Sequence, residues 1–109
     1  IKKINDLVYS YGRKALVAGT DYGLIESNDE GNSWAAITTT IPPNTLEITA
    51  VATHPKFGEV FWIASGNQLF RTDDEGITWT RIEVNTNRSI IFIRVNPNNS
   101  KIIYAGLAK

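Results

Sequence analysis

Two short stretches of the chain gather acid, hydroxyl, glycine and tryptophan in the same order. Residues 27–34 read Ser-Asn-Asp-Glu-Gly-Asn-Ser-Trp, and residues 72–79 read Thr-Asp-Asp-Glu-Gly-Ile-Thr-Trp. Asp29 and Asp74 stand 45 residues apart, as do Gly31 and Gly76, and Trp34 and Trp79. Calcium ligation is the first chemistry to weigh. An EF-hand loop needs oxygen ligands at its first, third and fifth positions before the Gly, and a Glu at the twelfth. Counting back from Gly76 puts Arg71 where the first carboxylate must be, and neither octet has a Glu at the twelfth position. Turn formation fits better. Asp29 and Asp74 can accept backbone N–H groups of their own turns, and Gly31 and Gly76 can take a positive φ that a Cβ resists. The hydroxyls of Ser27, Thr72, Ser33 and Thr78 can tie the strand ends, with Trp34 and Trp79 covering the hairpins. These residues are expected to be structural, with no metal and no cofactor.

Other reactive groups are few. His54 is the only His and there is no Cys, so a His-based zinc site, a thiolate site and a disulfide are all excluded. A Ser-His-Asp triad would have to use His54, and no nucleophile elbow accompanies it. His54 precedes Pro55 and reads as a solvated turn residue. Phosphate-cradling glycine motifs are absent. No catalytic residue can be assigned. Asn87-Arg88-Ser89 and Asn98-Asn99-Ser100 fit the N-glycosylation pattern and fall in expected loops.

The elements that carry these residues follow from a repeat. Residues 14–19, 59–65 and 101–106 are versions of one apolar strand, and turns with Pro precede two of them. Four strands per unit, a to d, are predicted. In the first unit they lie at about 4–9, 14–19, 22–27 and 33–38. In the second they lie at 48–53, 60–65, 68–72 and 77–83. A third unit has a at 90–95 and b at 101–107. Val, Ile, Thr, Tyr, Phe and Trp crowd these segments, and nothing keeps a 3.6-residue apolar period, so no substantial helix is predicted. The polar linkers 39–47 and 85–89 read as loops.

Composition narrows the function classes. The 109 residues include 11 Lys plus Arg and 11 Asp plus Glu, so the formal net charge is zero. A chain that grips a phosphate backbone or an anionic membrane needs a basic excess. Neither nucleic acid nor membrane insertion is expected. Apolar residues make up 42% and charged residues 20%, the mixture of an ordinary globular domain. There is no Met and the chain opens at Ile1, which suggests a processed or excised piece.

A four-stranded antiparallel unit repeating every ~40–50 residues is the mark of a β-propeller blade. The octets resemble the Asp box, Ser/Thr-x-Asp-x-Gly-x-Thr/Ser-Trp, of BNR-like repeats, found in sialidases, sortilin-type receptors, xyloglucan-cleaving propeller glycosidases and a photosystem II assembly factor. The strands around them are most similar to the BNR-like repeats of secreted bacterial proteins. The resemblance implies an all-β fold of antiparallel four-stranded blades: one partial propeller over 1–109, with blade 1 at about 4–38, blade 2 at about 47–84 and a half blade at 90–107. It also implies a secreted, cell-surface or periplasmic location, and octets on the outer rim.

In such a ring strand a is innermost. Asp6 and Glu47 are then the only acids on or beside inner strands, and Arg94 the only inner-strand Arg. A glycosidase needs two carboxylates across a sugar cleft, and this chain offers no other inner pair. Trp62, Phe61, Phe70 and Tyr104 are expected in packing between blades. Closure takes roughly 4–8 blades, so the expected partners are the remaining blades of a larger ring or other copies of this chain. The expected function is a non-catalytic binding or scaffolding element recognising protein or glycan. The alternative is a segment of a propeller glycoside hydrolase whose catalytic acids lie largely elsewhere.

Overall fold

The computed structural model describes residues 4–37 and 47–109. Ten strands and no helix are present among them. The first sheet is β1 (Ile4–Ser10), β2 (Ala15–Thr20), β3 (Gly23–Ser27) and β4 (Ala35–Ala36), paired in that order. The second repeats it with β5 (Ala50–Thr53), β6 (Phe61–Ser65), β7 (Gln68–Thr72) and β8 (Thr80–Ile82). The third is the hairpin β9 (Ile90–Val95) and β10 (Ile103–Leu107). Every pairing is antiparallel. The fold is all-β, with two antiparallel four-stranded sheets of propeller-blade type and a two-stranded hairpin.

Alternation along the strands decides how the sheets stack. β6 is buried throughout, although its side chains alternate between two faces. Phe61 and Ile63 point into a core shared with the first sheet, where Val17 and Leu24 meet Ile48, Val51 and Phe70. Trp62 and Ala64 point the other way, into a core shared with the hairpin, where Ala50, Ala52 and Leu69 meet Ile90 and Ile93. The middle sheet is thus covered on both faces, which explains why its central strand reads as an unbroken apolar run.

Polar groups stitch the sheets along their first strands. Ile48 N donates to Thr20 O (2.8 Å), and Ile90 N donates to Gly66 O (2.7 Å). Each new unit therefore hooks its first amide onto the turn region between the second and third strands of the unit before. Asp6 Oδ2 accepts from Val51 N (3.0 Å), Thr53 Oγ1 donates to Tyr9 O (3.3 Å), and Thr49 Oγ1 donates to Ile90 O (2.9 Å). Near the turn that follows β1, Arg13 Nη1 donates to Gly58 O (3.3 Å) while Arg13 Nε and Nη2 clasp both oxygens of Glu26. Gly12 lies so close to the next unit that a Cβ there would sit 2.3 Å from Gly58 N.

Three sequence expectations change. The fourth strands are shorter than 33–38 and 77–83, because Ser33 N and Thr78 N are bonded to Asp29 and Asp74 and stay in the turn. Tyr104 does not pack between sheets with Trp62, Phe61 and Phe70. It is 54% exposed on the hairpin's outer face, whereas the other three are buried. His54 is not solvated but 8% exposed. Thr38 and linker residues 39–46 lie outside the described residues.

Candidate functional site

The octets form two separate, near-identical knots, one at each third-to-fourth strand turn. In the first, Ser27 Oγ donates to Asp29 Oδ1 (2.7 Å) and accepts from Gly31 N (2.9 Å). Asp29 also takes Ser33 N on Oδ1 (2.8 Å) and Ser33 Oγ on Oδ2 (2.5 Å). In the second, Thr72 Oγ1 donates to Asp74 Oδ1 (2.7 Å) and accepts from Gly76 N (2.8 Å), while Thr78 N and Oγ1 donate to Asp74 at 2.9 and 2.6 Å. Gly31 and Gly76 take φ of 91° and 90°. The Glu before each, Glu30 and Glu75, is also left-handed, at 61° and 63°, a feature that nothing in the residue type announced.

These bonds all favour the ionised aspartates. The Ser33 hydroxyl first, then the Ser27 hydroxyl and the Ser33 amide, hold Asp29 at about 2. The Thr78 hydroxyl first, then its amide and the Thr72 hydroxyl, hold Asp74 at about 2. A carboxylate with this many committed donors is a poor acid or base near neutrality. The tryptophans diverge. Trp34 Nε1 donates to Gly31 O (3.1 Å), whereas Trp79 sets its ring edge-on to Phe61 at 5.7 Å, against the core between the first two sheets.

The other singled-out groups also have structural work. Both Asp6 oxygens are bonded, one to Leu7 N (3.0 Å) and one to Val51 N across the sheet boundary. Glu47 is exposed at the start of the second unit. No cluster of three or more His, Cys, Asp or Glu among the described residues is placed to hold a metal ion.

One concavity crosses all three units. A groove of about 410 Å³ runs over the first strands β1, β5 and β9, which lie side by side. Tyr9 and Tyr11 stand along it in an edge-to-face pair with centroids 4.8 Å apart. Pro55 and Pro97 come from the turns, and Arg94 is the single charged residue of the lining. Its guanidinium lies 5.0 Å over the Phe92 ring and donates to Ile93 O. None of the octet residues contributes to the groove. Sequence reasoning passed over Tyr9 and Tyr11. The usable signal was position for Tyr9, whose first strand neighbours the first strand of the next unit, whereas Tyr11 lies in the turn that follows.

The fold is similar to that in the crystal structure of an ancestral GH74 enzyme, with a TM-score of 0.64 over 95% of this chain and 19% identity. The likeness is one of fold. The match takes in 16% of that enzyme's chain, so the present chain spans a small part of its length. No protein-family model matches the sequence, and no curated protein does.

Proposed function

We propose that this chain is a non-catalytic binding element of an Asp-box β-propeller, presenting the groove over β1, β5 and β9 to a glycan. The observation that carries this is the placement of Tyr9 and Tyr11 in an open groove, 45% and 72% exposed. Exposed aromatic rings offer flat apolar faces to the C–H faces of sugars, while their hydroxyls reach polar groups. The committed aspartates of the octets and the doubly bonded Asp6 favour binding over catalysis within this chain. The octets themselves act as turn staples. The resemblance of the repeats to secreted BNR-like proteins favours an extracellular, cell-surface or periplasmic setting. A protein ligand at the same groove is the nearest variant of this reading.

Calorimetric titration with cello-oligosaccharides and xyloglucan oligosaccharides tests the proposal. Tyr9→Ala and Tyr11→Ala are expected to weaken binding by about tenfold or more, since one lost stacking contact of ~1.4 kcal/mol already gives that factor, while leaving the melting temperature nearly unchanged. No binding to any oligosaccharide would count against the glycan reading. The second reading, a segment of a glycoside hydrolase, is favoured by the fold of the GH74 neighbour. Release of reducing sugar from such substrates would support it, with the catalytic acids to be sought beyond Asp6 and Glu47.

A further inference from the structure

All three units cap the turn between their first two strands with one polar side chain. Ser10 Oγ accepts from Arg13 N (3.1 Å) in the first. Asn96 Oδ1 accepts from Asn98 N (2.9 Å) and Asn99 N (3.2 Å) in the third. In the second the acceptor is an imidazole: His54 Nδ1 takes Lys56 N (3.0 Å) and Phe57 N (3.2 Å). Two amides aimed at one ring nitrogen require a lone pair there, so the ring is neutral with its proton on Nε2. Protonation would turn Nδ1 into a donor facing two donors. The ring is buried and lies 4.8 Å from Phe57, and protonation at Nδ1 breaks both amide bonds at once.

The same turn carries the seam to the first unit. Its Gly58 carbonyl receives Arg13, and its Gly58 amide is the atom against which Gly12 is packed. We propose that His54 is a pH-sensitive latch, whose protonation at Nδ1 releases the turn 54–60 and loosens the seam between the first two units. The charged groups that face it are Arg71 on β7 and Glu59 and Lys56 of its own turn. The third-unit residues sharing its cleft, Pro97, Asn98 and Ser100, carry no charge. Burial first, then Arg71 and Lys56, push the imidazole below its ordinary value of 6.5, while Glu59 pulls the other way. With the folded pKa lowered, the stabilising contribution is fully present above 6.5 and is lost as pH falls from there toward the folded pKa. This inference does not depend on what the groove binds.

Amide hydrogen exchange across the turn tests it, comparing the chain with His54→Asn, which supplies the acceptor that Asn96 supplies in the third unit. After correction for intrinsic exchange, protection of Lys56 and Phe57 is expected to fall by up to about tenfold per pH unit on acidification, the limit for one linked proton. The Asn variant should show a flat profile. Constant protection in the parent chain, or equal slopes in both, would overturn the latch. Should the variant fail to fold, the imidazole nitrogen shifts of the parent chain serve instead. Nδ1 protonation in step with lost protection supports the latch, and protonation with protection intact overturns it.

Discussion

Asp29 and Asp74 each take three hydrogen bonds from hydroxyls and an amide within their own turn. Both are held at about 2, below the ordinary 3.8, so the folded state binds these protons more weakly than the unfolded chain. Their contribution is therefore present above 3.8 and disappears as pH falls through about 2. Melting curves across that range should show the midpoint dropping with acid. An Asp29→Asn, Asp74→Asn double variant should have a flatter acid limb, and an unchanged limb would mean that the knots do not couple to folding. The residue types of the octets were legible in the sequence because Asp, Gly and hydroxyls at fixed offsets have few other uses. His54 was not: a lone His before Pro looks like surface, and its burial depends on packing from turns that only the folded chain brings together.

At the scale of elements, the strands follow alternation and β-branched content closely, and the errors fall where side chains compete with the ladder. β4 and β8 start late because Asp29 and Asp74 claim the amides of Ser33 and Thr78. β5 starts late for another reason, since Ile48 N is drawn to Thr20 O of the sheet before. The contact between turns is less forgiving than the strands. A Cβ on Gly12 would meet three backbone atoms of the next turn, Lys56 O and Phe57 C at 2.7 Å besides Gly58 N. Gly12→Ala should cost about 1–3 kcal/mol by forcing the two turns apart, measurable by urea unfolding. A change below about 0.5 kcal/mol, the range of ordinary surface substitutions, would show that the seam has slack. Such a contact leaves no trace in sequence beyond a glycine that no turn type demands.

For the whole molecule, the hairpin end of the stack is chemically unlike its middle. The second sheet is covered on both faces, but the hairpin's outer side leaves Ile91, Phe92 and Tyr104 exposed. Apolar sheet faces of this kind draw other surfaces to them. In solution this 109-residue chain should associate as its concentration rises, giving a light-scattering mass above 12.1 kDa. Phe92→Ser with Tyr104→Ser should reduce the association, and a concentration-independent mass of 12.1 kDa would argue that the faces are self-sufficient.

The hook that joins successive sheets recurs at both boundaries with its acceptor shifted by one: Ile48 N reaches Thr20 O, the counterpart of Ser65, whereas Ile90 N reaches Gly66 O. A joint that recurs between similar bodies sets how each is turned on the last, as the fixing of each tread does in a spiral stair. The pitch of the assembly is thus encoded locally, in where the first amide of each unit lands on the unit before it. A register change there would swing every later sheet about that joint, altering the curvature of the array without disturbing the interior of any one sheet.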